Sequence, residues 1–300
     1  MKRFILTLCL LTALLTSCGP VDLNAPIPVY ETGVDPESWV TVPAGEFLSG
    51  QHDDPVLLDF DYEIMVTDVT VEQYARFLED AREDGFIKIE DENILGFYPG
   101  DEFHGVKHEI EIPADDYVFI PLDDPSQKIE FTSKVTFGAK QGFENHPMTV
   151  VSWFGAWGYC TYYGWRLPTE LEWEKAARGT GGRPFPWGWE IMRENANFYS
   201  SRDPFEDMST FGSRTSPVGF YNGQTYDGYV TLDSASPYGL YDMAGNVWQW
   251  IGDVQLQEGF SDRFMHGGSK DTYDMDLRAW VRNSAPPMYY SPGVGFRCVR

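Results

Sequence analysis

The sequence predicts an irregular mixed α+β domain with little regular secondary structure. Its 10 Trp, 17 Tyr and 20 Phe side chains supply a large apolar surface for one core, while 29 Gly and 20 Pro indicate many turns. Helix-capping patterns occur near the middle of the chain, and short strand-like runs occur elsewhere. The 300 residues therefore predict one compact domain behind an N-terminal export segment.

The first residues predict export and lipidation. Lys2 and Arg3 precede an apolar run, Phe4 to Leu15, that is too short to span a bilayer as a mature helix. An apolar residue and two small ones then precede Cys18, a pattern that resembles the bacterial lipobox. We expect residues 1–17 to be a lipoprotein signal peptide and Cys18 to carry the acyl chains, palmitate among them. The alternative is an ordinary cleaved signal peptide with a chance cysteine.

A lipid on Cys18 would hold the protein to a membrane without spanning it. The sequence therefore predicts a place in the cell envelope, on the outer membrane or the periplasmic face, with membrane lipid as one partner. Residues 18–38 contain several Pro and Gly residues and are expected to form a tether. Residues 39–300 are expected to form the domain.

Charge argues against one class of partner. The chain has 46 acidic and 22 basic residues and a formal net charge of −24, so nucleic acid is not an expected partner. Such acidity is typical of a protein that must stay soluble in a salty exterior, and also of one whose carboxylates bind Ca²⁺. Composition does not choose between the two.

Two cysteines remain for the domain, because Cys9 lies in the signal peptide and Cys18 is assigned to the lipid. They are Cys160 and Cys298. An even pair in an oxidising compartment suggests one disulfide that closes most of the domain. Two buried free thiols are the alternative.

Strand and helix signals begin near Trp39. Residues 39–42 predict a strand, followed by a turn at Pro43 to Gly45 and a second strand. Thr70 and Gln73 match a capping box that opens an amphipathic helix. Residues 84–145 are acidic and irregular, with short strand-like runs, and we expect a surface excursion made mainly of solvated loop.

Two further helices are predicted in the centre of the chain. Ser152 is the expected N-cap of one helix. Thr169 and Glu172 form a capping box for the next helix, which Gly179 should end. Beyond Gly181 we expect loops and short strands.

Several ordered motifs resemble a known family. Together they are similar to the blocks of the formylglycine-generating enzyme, or sulfatase-modifying factor, family, and the resemblance covers about Trp39 to Arg300. It implies a fold of the C-type-lectin-like class and a disulfide between Cys160 and Cys298. The motifs are His146 to Trp153, Gly164 to Glu174, Pro186 to Gly188, Asn195 to Asn197, Ser216 to Gly219, Tyr238 to Trp250, Gly267 to Ser269 and Gly295 to Cys298.

The resemblance also implies structural Ca²⁺, which prefers six to eight oxygen ligands. One implied site uses Asp242 and Gln249 with the carbonyls of Gly245 and Val247; Gln249 stands where the family usually has Glu. A second implied site uses Asn197 and the carbonyl of Phe198, with further ligands expected within residues 207–212. Hydrogen-bonded turns without metal are the alternative for both.

The family's oxidation chemistry is not expected here. Similar enzymes hold Cu(I) with two cysteines after the Gly-Gly-Ser motif, and Thr272 and Leu277 stand at those positions. Neither side chain binds copper, so no catalytic residue is assigned. Another metal is not expected at His104 and His108, which lie in the acidic stretch and are more typical of solvated surface.

Four charged residues follow the same motif and form either a polar ligand pocket or a solvated acidic loop. They are Asp271, Asp274, Asp276 and Arg278.

Two functions therefore compete. The first is a non-catalytic binding or scaffold lipoprotein that holds a protein, peptide or glycan, as in lipoproteins of gliding-motility and secretion machinery that it resembles. The second is an oxidoreductase of the formylglycine-generating type, or a sulfatase maturation factor, with a rebuilt site. The sequence favours the first.

Overall fold

The computed structural model describes residues 27–105, 109–131, 136–199, 201–206, 214–255 and 261–300. Its helices are α1 (Val71–Glu83), α2 (Trp153–Tyr162) and α3 (Glu170–Arg178). None of these described helices is long and apolar enough to cross a membrane. The strands are β1 (Trp39–Val42), β2 (Gly45–Ser49), β3 (Asp54–Leu58), β4 (Tyr62–Met65), β5 (Ile87–Glu90), β6 (Asn93–Tyr98), β7 (Asp115–Pro121), β8 (Ile129–Phe131), β9 (Phe137–Ala139), β10 (Thr225–Tyr226), β11 (Tyr229–Val230), β12 (Trp248–Gln255), β13 (Asp262–His266), β14 (Arg282–Ala285) and β15 (Val294–Gly295).

The three helices begin where the sequence predicted. The Thr70 hydroxyl accepts from the Gln73 N–H, and the Gln73 side chain accepts from the Thr70 N–H, so both halves of the capping box form. Thr169 and Glu172 form the same reciprocal pair at α3, which ends at Gly179 with a positive φ of 69°. Helix α2 begins after its predicted serine cap. Helices and short strands together confirm the mixed α+β class.

The strands form small sheets. β1 pairs with β4 and β2 pairs with β3, all antiparallel, so the first two predicted strands exist but do not pair with each other. Near the C-terminus β14, β13, β12 and β15 form a four-stranded sheet in that order, with β15 parallel to β12. This sheet leads directly into the Gly-Gly-Ser motif, which follows β13.

The prediction of a surface excursion at residues 84–145 was wrong. Strands β5, β6 and β7 form an antiparallel sheet that packs on α2, and Ile94, Phe119 and Ile120 are fully buried in the core. The acidic residues that suggested a solvated loop lie in turns and on the outer face of this sheet. Asp91 and Glu92, for example, occupy the two-residue β5–β6 turn with φ values of 47° and 59°.

One disulfide joins the centre of the chain to its end. Cys160 of α2 and Cys298 are bonded and fully buried, and they are 138 positions apart in the sequence. The disulfide lies within the larger of the two main apolar clusters, which contains α1, α2 and the β5–β7 sheet. The other cluster covers β2, β4 and α3. The predicted disulfide is therefore confirmed.

The expected boundary between tether and domain at Trp39 also needs correction. Residues 27–38 lie against the domain instead of leading away from it. The Tyr30 ring packs against Phe205, Phe220 and Tyr226, and the Thr32 hydroxyl donates to the Val218 carbonyl at 3.0 Å. The physical reason is the buried apolar area that these aromatic contacts provide, which a Pro/Gly count does not register.

Candidate functional site

The Gly-Gly-Ser motif makes a tight turn at the end of β13. Gly267 and Gly268 have positive φ values of 98° and 71°. A Cβ on Gly268 would lie 2.8 Å from the Leu277 side chain and 3.1 Å from the Asp276 carbonyl oxygen, so the following segment folds back closely onto the motif. Residues 269–277 are therefore held over this turn.

Thr272, at the first position expected for a copper thiolate, closes this turn. The Ser269 N–H donates to Thr272 Oγ1 at 2.9 Å, and the Thr272 hydroxyl donates to the Ser269 carbonyl at 3.0 Å. The Thr272 N–H also donates to the Ser269 carbonyl at 3.0 Å. The hydroxyl is thus used as both donor and acceptor within the turn.

Leu277, at the second position, belongs to the core. It is fully buried in a small apolar cluster with Phe185, Ala196, Phe198 and Ala244. A buried aliphatic side chain offers no ligand to a metal. The residues at both positions therefore do not fit a Cu(I) site, and the remaining described cysteines form the disulfide.

The charged residues that follow the motif do not converge. Asp274 accepts from the Met275 N–H at 2.9 Å, and Asp276 accepts from the Tyr273 N–H at 3.3 Å, so each carboxylate is a local backbone acceptor. Asp271 pairs with the buried Lys270 ammonium. Arg278 is exposed. Of the two expectations, this arrangement matches the solvated acidic loop.

Exposed aromatic and Met side chains border this loop. The rings of Tyr199 and Tyr273 meet edge to face at 5.1 Å although they are 47% and 60% exposed, and the Tyr199 N–H donates to the Thr272 carbonyl. Met275 is also exposed. Residues 288–290 are three more exposed apolar side chains, just before Gly293, where an added Cβ would lie 3.4 Å from Asp271 Oδ2 and 3.5 Å from Ser269 Oγ. We call Tyr199, Tyr273, Met275 and residues 288–290 the aromatic rim.

The first implied calcium site is closed by hydrogen bonds. Gln249 Oε1 accepts from Trp173 Nε1 and from Arg297 Nε, both at 2.8 Å, and these two donors fix the orientation of the amide. Gln249 Nε2 therefore faces the Asp242 carbonyl and donates to it at 2.6 Å. An amide nitrogen stands where a cation would need an oxygen, so the residues present do not fit Ca²⁺ between Asp242 and Gln249.

A further hydrogen bond, from Gly219, fixes the Asp242 side chain. Its carboxylate accepts from the Gly219 N–H at 2.7 Å, and its backbone has a positive φ of 57°. Burial raises the pKa of Asp242 to about 6. The Gly245 carbonyl, another implied ligand, accepts from the Val247 N–H at 2.8 Å. Hydrogen bonds within the protein hold these groups in a tight turn.

A buried Arg–Asp pair lies behind this turn. The Arg297 guanidinium donates to the carbonyls of Met65, Val66 and Tyr241 and to Asp68 Oδ1 at 3.2 Å. Both side chains of the ion pair are fully buried, and burial raises the pKa of Asp68 to about 8 despite the opposing effect of Arg297. The Gly-Phe-Arg-Cys motif contains this arginine, but its partners are far away in the sequence, so sequence reasoning missed the network.

The second implied calcium site contains a buried side-chain oxygen that has no hydrogen-bond donor among the described residues. Asn197 is 1% exposed; its Nδ2 donates to the Arg214 carbonyl at 2.8 Å, while its Oδ1 has no hydrogen-bond partner among the described residues. A buried amide oxygen without a donor is suited to a cation. Phe198 follows it in the chain, and the further ligands expected within residues 207–212 lie outside the described residues. Asn197 thus fits the implied site.

No group of three or more His, Cys, Asp or Glu side chains comes together as a metal site within the described ranges. Of the predicted histidine pair, His104 contacts Glu109 through Nδ1 at 3.2 Å. His108 lies outside the described residues. Cys18 and the signal peptide lie outside them as well.

Comparison with known proteins identifies the domain. Residues 28–300 match the family model described as "Sulfatase-modifying factor enzyme 1-like domain". The formylglycine-generating enzyme of Mus musculus is 35% identical over 176 residues, which cover 51% of this chain and 44% of that protein. The inactive C-alpha-formylglycine-generating enzyme 2 of Mus musculus is 36% identical over 159 residues, which cover 51% of this chain and 48% of that protein.

The match spans about half the length of these curated relatives, one described as an enzyme and one as inactive. Among solved structures, PvdO from Pseudomonas aeruginosa superposes with a TM-score of 0.55 at 19% identity and covers 92% of this chain and 98% of that one. At this identity the likeness shows the fold alone.

Proposed function

Because the chain belongs to the sulfatase-modifying factor enzyme 1-like family, we propose that it is a non-catalytic member that binds a protein, peptide or glycan in the cell envelope. The observation that carries the proposal is the state of the two positions where similar enzymes hold copper. The Thr272 hydroxyl is consumed in closing a turn, and the Leu277 side chain is buried in the core. The family fold is present here with no copper ligand at either of these two positions.

The exposed side chains of the aromatic rim support the proposal of a binding function over a catalytic one. Tyr199, Tyr273 and Met275 expose apolar surface next to a turn that is rigid because Ser269 and Thr272 bond to each other. Exposed aromatic and Met side chains on a fixed scaffold are typical of recognition surfaces. Carboxylates beside them provide hydrogen-bond acceptors for a polar ligand.

Location in the envelope rests on the N-terminal sequence. Cys18 follows a short apolar run and a cationic start, which together favour a lipid anchor at the membrane surface. A binding module tethered there would meet partners in the envelope. The structure does not describe these residues, so this part of the proposal depends on sequence alone.

We further propose that Ca²⁺ binds at Asn197 and the Phe198 carbonyl and not at Gln249. The Asn197 Oδ1 is buried without a donor among the described residues, whereas the Gln249 oxygen already has two donors. A hard cation would satisfy the first oxygen.

The purified full-length chain should show no oxidase activity. It should contain no stoichiometric copper, and it should consume no O₂ with a Cys-x-Pro-x-Arg peptide in the presence of Cu(I), because positions 272 and 277 carry no thiolate. Mass spectrometry of bound metal and an oxygen electrode measure both quantities. The Thr272→Cys/Leu277→Cys double variant is the matched control and should gain Cu(I) binding. Peptide-dependent O₂ uptake by the unmodified chain would overturn the proposal.

The thermal unfolding midpoint should be higher in calcium than in a sample with chelator. At a calcium concentration 100-fold above Kd, the shift should correspond to about 2.7 kcal/mol of added stability. Asn197→Ala should lose this gain and Asp242→Asn should keep it. Gln249→Glu should be destabilised in chelator, because its carboxylate would face the Asp242 carbonyl, and calcium should restore it. Differential scanning fluorimetry tests each variant. An equal calcium response in Asn197→Ala would exclude Asn197 as a ligand.

The aromatic rim should determine partner binding. On peptide and glycan arrays, Tyr273→Ala should weaken binding by about tenfold or more, since an aromatic anchor contributes at least about 1.4 kcal/mol. Phe97→Ala removes a similarly exposed aromatic from β6 and serves as the control. If the two variants weaken binding equally, or if no array member binds, the rim is not the recognition surface.

Lipidation should depend on one side chain. In cells, Cys18→Ala should abolish fatty-acid incorporation, because the expected acyl chains are attached to that cysteine. Metabolic labelling and mass analysis of the mature N-terminus give the readout. A mature chain that begins elsewhere and carries no lipid would support the ordinary signal peptide instead.

A further inference from the structure

Two lysines face each other across a strand pair on this acidic protein. Strands β8 and β9 are antiparallel with Ile129 opposite Ala139, and the next pair outward is Lys128 and Lys140. The Lys140 N–H donates to the Lys128 carbonyl at 2.8 Å, which continues the register. Like charges directly opposite each other in a sheet repel, so this arrangement costs stability on its own.

The two ammonium groups are held by contacts that leave their charges uncompensated. Lys128 Nζ lies 4.3 Å above the Phe143 ring, and Lys140 Nζ donates to the Gln127 carbonyl at 2.7 Å. Gln127 is fully buried, and its side-chain oxygen accepts from the Lys128 N–H at 2.8 Å. Both lysines are half-buried, so water screens their repulsion less than it would on an open surface.

Arg214 adds a third charge. It is half-buried and precedes Thr215, whose hydroxyl contacts the His146 ring at 2.9 Å, and that ring lies 5.0 Å from the Phe143 ring beneath Lys128. Burial is the largest effect that lowers the pKa of Lys128, and repulsion from Lys140, Arg214 and the more distant Lys270 lowers it further. His146 cannot compensate, because burial lowers its pKa to about 3 and leaves it neutral.

The described carboxylates form no ion pair with these groups, although Lys140 lines a pocket with Glu92, Asp123 and Glu130. Within the described residues, Lys128, Lys140 and Arg214 have no ion pair within 4.0 Å, although the chain has 46 acidic residues. Asp124 acts on Lys128 only weakly, and its Oδ1 already accepts from the Ser126 N–H at 2.7 Å. Three half-buried cations with no ion pair among the described residues of such an acidic chain point to an anionic ligand.

We propose that Lys128, Lys140 and Arg214, here called the cation cluster, bind a phosphate or sulfate group. A tetrahedral dianion supplies two charges and several acceptor oxygens, which match lysine and arginine donors better than a single carboxylate does. Inorganic ion, phosphate ester and sulfate ester share this chemistry. The proposal does not depend on the aromatic rim or on the absence of oxidase activity.

Isothermal titration of the full-length chain with inorganic phosphate and with inorganic sulfate, at constant ionic strength, tests the site. We expect saturable binding of at least one of them with one ion per chain, and no saturable binding of acetate. Lys140→Gln and Arg214→Gln should each weaken binding by about tenfold, the size of one lost charge-assisted contact. Preference for phosphate or for sulfate would identify which ester the site recognises.

The Lys128→Gln variant distinguishes an effect on anion binding from an effect on folding stability. Without added anion its thermal midpoint should equal or exceed that of the unmodified chain, because a repulsion is removed, while anion binding should be lost. Lys88→Gln is the control, since Lys88 on β5 already pairs with Glu90 and Asp116. Non-saturable heats, equal binding of acetate, or an equal loss in Lys88→Gln would overturn the proposal.

Discussion

The buried guanidinium of Arg297 is the constraint on which the rest of the domain depends. It donates to carbonyls near the end of β4, to the Asp68 carboxylate, to the Tyr241 carbonyl and to Gln249 on β12, so one side chain joins three segments that are far apart in the chain. The residue after it forms the disulfide to α2. Removal of this cation would leave a buried carboxylate and several carbonyls without a donor, which is far more costly than loss of one exposed contact.

The same cation also determines how the candidate site is built. Arg297 and Trp173 direct the Gln249 oxygen towards themselves, and the Gln249 nitrogen therefore holds the Asp242 carbonyl. Hydrogen bonds within the protein fix the turn that follows Asp242. Its Gly245 N–H donates to the Gly267 carbonyl at 2.8 Å, which fixes the start of the Gly-Gly-Ser turn. The Gly-Gly-Ser turn is thus positioned by the buried network as well as by the hydrogen bonds between Ser269 and Thr272.

Features set by local sequence were predictable, and features set by distant partners were not. The capping box at Thr70 and the cap at Ser152 depend on residues three positions away, so the helices were found at their first residues. The β5–β7 sheet was missed because its acidic turns and outer face obscured the buried Ile94 and Phe119. Sequence also located Thr272 and Leu277, but whether each side chain enters a turn or the core depends on the fold around it.

The cation cluster is another feature that could not be predicted from the sequence, because it depends on which charged residues the fold brings together. Lys128, Lys140 and Arg214 give no signal in the sequence, because the third residue is far from the first two and net charge averages over the whole chain. A net charge of −24 would by itself repel anions. Exposed charges are screened beyond about 8 Å at physiological salt, however, so a half-buried group of three cations sets the local potential against the average. The proposed anion site therefore depends on local geometry and not on formal charge.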